Sequence, residues 1–402
     1  MKQKIELIVG VSDKKSQMKI ISVVGARPNL MKIAAFAEAI KLHNDGGKMP
    51  KIHHILIHTG QHYDERMTDT FFRSLSIPEP DVNLQIGSGT HAEQVGNTMI
   101  AFEKVLMEEK PDWVVVPGDV NATLACSIAA AKLQIKVCHI EAGLRSNDNR
   151  MPEEINRIIT DRISSLLLTP DRLATENLLE EGIEKEKIAF TGNIMIDTLM
   201  RHIDKAKSLN RNEVILQNEI VKKDLLPENF VLITLHRPSN VDDSEALERI
   251  TFWIQNTLSA NKTVIWVIHP RTASQLKKLL LWEKLSETKN LLLLHPLDYH
   301  HMLKLSSESD LIITDSGGLQ EEATVLGKAC IVIRPNTERP ITLFKNGGSC
   351  ILVKNDANSL DEAMEFFTSN PIKPSLPEKW DGKTAERCLN AIISFKKETA
   401  YA

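Results

Sequence analysis

Cysteine is scarce and scattered. The five present, Cys126, Cys138, Cys330, Cys350 and Cys388, form no CxxC pair, so the ligand spacing of a structural zinc site is missing. Cys138 and Cys330 lie in apolar, strand-like runs and read as buried free thiols, and an odd count fits a reducing compartment. No apolar run approaches the roughly 18–20 residues that span a bilayer. The N-terminal MKQKIELIVGVSDKKSQ has a short apolar patch soon broken by charge, without the h-region and cleavage site of a signal peptide. Residues 1–17 read as an appendage, or Met18 as the real start. An excess of one charge is missing too: Lys+Arg 49 against Asp+Glu 53 leaves a net charge of -4, which argues against a dedicated nucleic-acid binder. A cytoplasmic chain with no membrane and no nucleic-acid partner is expected. The dinucleotide fingerprint GxGxxG, the Walker A pattern and the GxSxG nucleophile elbow are also lacking, so neither a hydride cofactor, a P-loop nor a serine nucleophile is expected. No cofactor and no metal are expected.

What is there is alternation. With 402 residues, two domains are the natural prior. Apolar runs at 19–25, 53–60, 112–119, 136–143, 164–169 and 187–192 read as strands. Helix candidates at 30–43, 64–74, 91–109, 121–133 and 171–181 lie between them. Several of the runs are apolar nearly throughout, as in strands covered on both faces of a parallel sheet. The pattern breaks over 204–228, which is charged and poorly periodic and reads as an interdomain linker with an entry helix. It restarts with strand runs at 229–236, 263–270, 290–296, 310–318, 329–334 and 349–353, and ends on an amphipathic helix at 381–397. The expected organisation is an N-terminal extension (1–17), an N-terminal Rossmann-like domain (18–205), a C-terminal Rossmann-like domain (206–378) and a closing helical segment (379–402) that packs back on the first domain.

In open parallel sheets ligands bind at the carboxyl ends of the strands, and the unusual residues gather there. The first strand run ends in Gly25-Ala26-Arg27-Pro28-Asn29, followed by Lys32, so Arg27 and Lys32 can reach an anion over a helix N-terminus; a structural cap is an equal reading of Arg27. Asp315-Ser316-Gly317-Gly318 stands between a buried strand and a helix. Backbone N–H groups and a hydroxyl there suit a phosphate, and Glu322 on the following turns suits ribose hydroxyls. The alternative is a plain serine N-cap with helix-stabilising acids. His236-Arg237 and His269-Pro270-Arg271 end two further strand runs, and Arg339 lies just beyond another. The first half supplies acids: Asp119 and Glu141 end adjacent strand runs, and Glu153 and Glu154 open a helix. Clustered carboxylates repel, so at least one of them should have a raised pKa; Glu141 could instead pair with Arg145. A phosphate-bearing ligand is expected across the cleft, its reacting end toward the acids.

Nine blocks then follow in order: GARPNLMK (25–32), HTGQHYD (58–64), PGDVNATLA (117–125), HIEAGLRS (139–146), MPEEINR (151–157), TGNIMIDT (191–198), LHRPSN (235–240), DSGGLQEEA (315–323) and RPNTERP (334–340). Over about residues 19–397 the chain resembles the non-hydrolysing UDP-N-acetylglucosamine 2-epimerases. The resemblance implies an α/β architecture of the GT-B type, with two Rossmann-like domains and a C-terminal crossover helix. It implies interconversion of UDP-N-acetylglucosamine and UDP-N-acetylmannosamine by elimination of UDP to 2-acetamidoglucal and re-addition. By the same resemblance Asp119, Glu141 and Glu153 share proton removal and return, and His236 stabilises the departing UDP. Arg27 and Ser316 hold the diphosphate with the backbone of Gly317 and Gly318. Glu322 takes the ribose, and Lys32 and Arg339 are further cleft residues. A UDP-sugar partner, a homodimer and a place in surface-polysaccharide or cell-envelope synthesis belong to the same implication. The Gln61-His62-Tyr63-Asp64 stretch departs from the substrate-activated members, as does 87–94, which lacks an arginine. Relatives acting on UDP-2,3-diacetamido-glucuronate remain an alternative, as do a hydrolysing epimerase, a GT-B glycosyltransferase and a non-catalytic nucleotide-sugar binder.

Overall fold

The computed structural model describes residues 17–25, 27–60, 78–223, 225–372 and 375–395, with Arg27 and Pro28 described by their backbone alone. The expected helix at 64–74, the Gln61-His62-Tyr63-Asp64 stretch, the appendage up to residue 16 and the tail of the last helix lie outside these residues.

Every apolar run read as a strand is one. The first sheet holds β1 (Gln17–Val24), β2 (Lys51–His58), β3 (Val82–Asn83), β4 (Trp113–Pro117), β5 (Lys136–Ile140), β6 (Leu166–Thr169) and β7 (Ile188–Phe190), in the order β3-β2-β1-β4-β5-β6-β7. The second holds β8 (Val231–Thr234), β9 (Val264–Val267), β10 (Leu291–Leu294), β11 (Leu311–Thr314), β12 (Ala329–Ile333) and β13 (Cys350–Val353), in the order β10-β9-β8-β11-β12-β13. All the strand pairings are parallel. β4, β9, β10 and β11 are buried end to end, as their Val/Ile/Leu runs require of a sheet covered on both faces.

In each sheet the strand order reverses once, at β1/β4 in the first and at β8/β11 in the second. Crevices open at such switch points because the crossover helices leave to opposite faces. The chain segments that leave β4 and β11 at these places are Gly118-Asp119 and Asp315-Ser316.

The region 204–228, read as a linker with an entry helix, carries more regular structure than its charge pattern suggests. The helix Ile194–Ser208 runs through its start, a second helix follows at Arg211–Asn218, and Val214 and Ile215 are buried in the second domain's core. The charges lie on the exposed sides of short helices, which hides the buried pair from a periodicity reading. Ile194–Ser208 packs on both the Arg27–Asp45 helix and the Tyr299–Glu308 helix, and so joins the two halves. The last helix, Thr384–Ser394, returns to the first domain: Ala385, Cys388, Leu389 and Ile392 belong to its core. Asp197 accepts the Thr384 and Ala385 backbone N–H groups at 3.0 and 2.7 Å. A side chain of one helix thereby caps another that has no cap of its own.

Candidate active site

The acids of the first domain stand at neighbouring strand ends, and each of two is matched to a cation. Asp119 follows β4 and is paired with Arg157 of the Pro152–Ile163 helix. Glu141 follows β5, is buried, and is paired through Oε2 with Lys32. Lys32 therefore does not reach out over a helix N-terminus; it turns inward. Gly118 makes this possible: its φ is +65°, and a Cβ there would stand 2.7 Å from Lys32 Nζ. Glu141 itself has φ +68°, a left-handed conformation that costs a non-glycine residue about 1–2 kcal/mol and that persists where neighbours over-determine it. Beneath the turn, His139 places Nδ1 2.6 Å from Asp161 and Nε2 2.7 Å from the Gly118 carbonyl oxygen. Asp161 also accepts Gly143 N–H and pairs with Arg145 at 2.7 Å. Arg145 thus serves Asp161 and Glu181, not Glu141.

Glu153 and Glu154, adjacent in sequence, part company. Glu154 is buried and accepts the Ser146 and Asn147 backbone N–H groups and Arg157, which fixes the loop behind the helix. Glu153 is exposed in the helix's first turn, and its charge acts on Arg237 of the second domain.

The second domain contributes a helix N-terminus without a side-chain plug. Ser316 is the N-cap residue of Gly317–Leu326, yet its hydroxyl makes no capping hydrogen bond, so the plain N-cap alternative does not hold. Asp315 is fully buried and takes His236 N–H, Arg237 N–H, Asn240 Nδ2 and, at 3.1 Å, His236 Nδ1. Burial pushes the Asp315 carboxyl up, but the bonds from His236 and its neighbours outweigh it and hold the group low. The imidazole is fixed by this bond at Nδ1, which leaves Nε2 for the adjoining cavity.

That cavity, of about 410 Å³, is lined by Met31 and Met195 from the first half and by His236, His269, Ser316, Gly318 and Glu322 among others from the second. His269 stacks at a tilt beside His236, with ring centroids 5.5 Å apart. Val267, Ile268, Pro296, Leu297 and Tyr299 give one end an apolar wall, while Glu322 supplies a buried carboxyl. Burial raises Glu322 to about 7, against the favourable influence of Tyr299. The two glycines differ in purpose. Gly318 lines the cavity, whereas Gly317 is demanded by packing: a Cβ there would meet Arg339 at 2.7 Å and Glu338 at 2.8 Å.

Arg339 is not an open cation either. It is buried between Glu321, at 2.7 Å, and Glu338. Arg271 lies away from the cavity and pairs with Asp242. Beside the cavity, burial raises the carboxyls of Glu321 and Glu322 to about 7, whereas in the first domain Asp119 and Glu141 are each paired with a cation rather than with one another. Sequence reasoning missed Arg157, Glu321 and Glu338; all three lie inside the quoted blocks MPEEINR, DSGGLQEEA and RPNTERP. Of Arg27 only the backbone is described, at the start of the Arg27–Asp45 helix. Among the described residues no group of three or more His, Cys, Asp or Glu could hold a metal ion, and no helix is long and apolar enough to cross a membrane.

Fold and site together are those of an α/β protein with two parallel sheets, cation-paired acids at strand ends of the first and an uncapped helix N-terminus lining a cavity at the second. The family model for UDP-N-acetylglucosamine 2-epimerase matches residues 45–393. A UDP-N-acetylglucosamine 2-epimerase of Methanocaldococcus jannaschii is 42% identical over 381 residues, 94% of this chain and 100% of that protein. A UDP-2,3-diacetamido-2,3-dideoxy-D-glucuronate 2-epimerase of Pseudomonas aeruginosa is 39% identical over 323 residues, 80% of this chain and 84% of its own. The crystal structure of the M. jannaschii enzyme with UDP-GlcNAc and UDP superposes with a TM-score of 0.82 at 41% identity, covering 93% of this chain and 99% of that one. The chain belongs to the UDP-N-acetylglucosamine 2-epimerase family, a family of isomerases with the GT-B-like α/β fold.

Proposed function

We propose that the chain interconverts UDP-N-acetylglucosamine and UDP-N-acetylmannosamine by eliminating UDP and adding it back. The observation that carries this reading is that Asp119 and Glu141, held on cations at the ends of β4 and β5, act on Arg339 of the second domain, which also offers an uncapped helix N-terminus beside an oriented histidine. The hydrogen at sugar carbon two is barely acidic, so its removal must be coupled to departure of UDP. Inversion then needs proton exchange on both faces of the glycal. Asp119, Glu141 and Glu153 supply that exchange. His236, Ser316 and the Gly317 and Gly318 backbone carry the growing charge on the diphosphate, Arg27 is a further diphosphate ligand, and Lys32 positions Glu141. Glu322 takes the ribose, and Arg339 shapes the seam rather than touching the sugar. Residues 18–205 then form the domain of acids, 206–378 the UDP-binding domain, and 379–402 the returning segment. The protein works in the cytoplasm for cell-envelope polysaccharide synthesis. It works as a homodimer, a reading supported by the exposed Ile100, Met107 and Ile155 of two first-domain helices; light scattering that gives a monomer mass would refute it.

Proton NMR of the protein with UDP-N-acetylglucosamine in deuterium oxide, without added metal or NAD, tests the reaction. The expected result is a UDP-N-acetylmannosamine anomeric signal with deuterium entering at carbon two. Free N-acetylmannosamine would mean hydrolysis. No turnover of this sugar, with turnover of the 2,3-diacetamido-glucuronate, would transfer the chain to the activity of its P. aeruginosa relative.

A further inference from the structure

Glu321 and Glu322 are neighbours on the Gly317–Leu326 helix, turned about 100° apart by the helical repeat. Glu322 lines the nucleotide cavity and Glu321 does not. Glu321 is 1% exposed, with Oε1 accepting Arg339 Nε at 2.7 Å. Its Oε2 has no hydrogen-bond partner among the described residues. In the first domain Glu141 repeats this arrangement: Oε2 is tied to Lys32 and Oε1 has no partner among the described residues. Each domain therefore offers the seam a buried carboxyl with one oxygen on a cation and the other bare. A buried oxygen left without a partner costs about 1–3 kcal/mol, more if charged, and two such oxygens on opposing domains are satisfied at once by a single proton between them.

We propose that Glu321 is a proton-bearing positioning residue for Glu141: with the cleft closed on substrate, its carboxyl donates a hydrogen bond from Oε2 to the bare Oε1 of Glu141. This rests on the reading that Glu141 acts at carbon two. The charged groups facing Glu321 are Arg339 from the segment after β12, Glu141 at the end of β5, Lys32 from the Arg27–Asp45 helix, and Glu322 on its own helix. Burial raises Glu321 to about 7; Arg339 and Lys32 oppose the rise and the Glu141 charge adds to it. The proton is thus present on the acid side of neutrality and lost on the alkaline side. Its loss sets a second negative charge beside Glu141 and removes the bond that fixes it. A carboxylate has about four acceptor sites, so Glu141 keeps capacity for the sugar while bonded to both Lys32 and Glu321.

The test is the pH profile of kcat in three variants, with UDP affinity by calorimetry and melting curves as checks of folding. E321A is expected to lower kcat by about tenfold or more, with UDP affinity within about threefold, because Glu321 does not line the cavity. E321Q keeps both bonds, its oxygen accepting Arg339 and its amide donating to Glu141. It is expected to recover most of the kcat at about pH 6 and, having no proton to lose, to flatten the alkaline fall. E321Q with the wild-type alkaline limb, or folded E321A with wild-type kcat, overturns the proposal. Should E321A fail to fold, the E321Q profile decides alone. E141Q separates the two readings. If E141Q still exchanges deuterium at carbon two, the role of Glu141 falls and the proposal with it. If E141Q is inactive and E321Q keeps the limb, only the role of Glu321 falls.

Discussion

Adding one methyl group at Gly118 tests how the acid of β5 is held. Gly118 has φ +65°, and its absent Cβ would lie 2.7 Å from Lys32 Nζ and 3.5 Å from Glu141 Oε2. Gly118→Ala therefore acts twice. The left-handed backbone costs an alanine about 1–2 kcal/mol. The methyl also pushes away the ammonium, which must retreat by about 0.5–1 Å to ordinary contact. Lys32 and Glu141 are both 4% exposed, so no solvent replaces the weakened pair. The expected loss of stability is about 2–4 kcal/mol, or roughly 4–16 °C in melting temperature at about 2–4 °C per kcal/mol for a domain of this size. A displacement of about 1 Å in a catalytic group lowers kcat by about a hundredfold. UDP affinity should stay within about twofold, because the cavity proposed for UDP is built mainly by the other domain. Gly182→Ala is the control: Gly182 has φ +76° and a Cβ there meets nothing within 4 Å, so it should share the backbone cost and leave kcat alone. Initial rates by coupled UDP-sugar assay, calorimetry with UDP and thermal melts measure all three quantities. Wild-type kcat in folded Gly118→Ala, or an equal loss in Gly182→Ala, refutes the reasoning.

Three further outcomes are expected. His236→Ala should lower kcat by about a hundredfold or more and weaken UDP binding in calorimetry; unchanged values would remove His236 from the diphosphate end. Glu322 has a folded pKa of about 7 against an ordinary value of 4.5, so its neutral form adds stability that is full below 4.5 and lost as pH rises through about 7. Denaturant titrations across this window should show that fall, and Glu322→Gln should make it shallower, Glu321 supplying the remainder. Asp197→Ala removes the cap from the Thr384–Ser394 helix and should cost about 1–2 kcal/mol, with hydrogen exchange accelerated in that helix and in few other places.

The strands were legible because both sheets are parallel and largely covered on both faces, so most of the strands are rich in Val, Ile and Leu along their length. Only β3, two residues long at Val82–Asn83, is too short to carry a pattern. The helices over 194–218 were not legible as domain structure because their exposed sides carry most of the charge and few positions are buried. The site was legible as a set of strand-end residues and not as a set of bonds. Asp119, Glu141, His236 and Ser316 announce themselves by standing after apolar runs. That Arg157 serves Asp119, across 38 residues, or that Lys32 serves Glu141, across 109, depends on which helix packs over which strand end, and no local pattern records it. Glu321 and Glu322 differ only in the side of one helix they occupy, which is settled by the position of Arg339.

The way charge is buried around the cleft argues for chemistry rather than stability. Lys32–Glu141, Arg157–Asp119, Arg339–Glu321 and Arg334–Glu338 bring buried charge together at the facing strand ends. Pairs of this kind recover in attraction about what they lose in desolvation, and apolar residues of the same volume often hold a fold as well. A core selected for stability has no need of several in one place. An elimination that moves a proton off carbon two and returns one to the other face does need them. Its acids must stay dry enough to keep water from the glycal, yet be charged at the right moment, and a fixed cation beside each acid meets both demands. The same reasoning explains why Asp119 is the least buried of these acids, its side chain 27% exposed against 3% for Glu141. A group that exchanges its proton with solvent between turnovers needs a path to water, and one that passes a proton only to or from the sugar does not. Deuterium washing in from solvent should accordingly slow more in Asp119→Asn than the elimination half-reaction does, whereas Glu141→Gln should stop both.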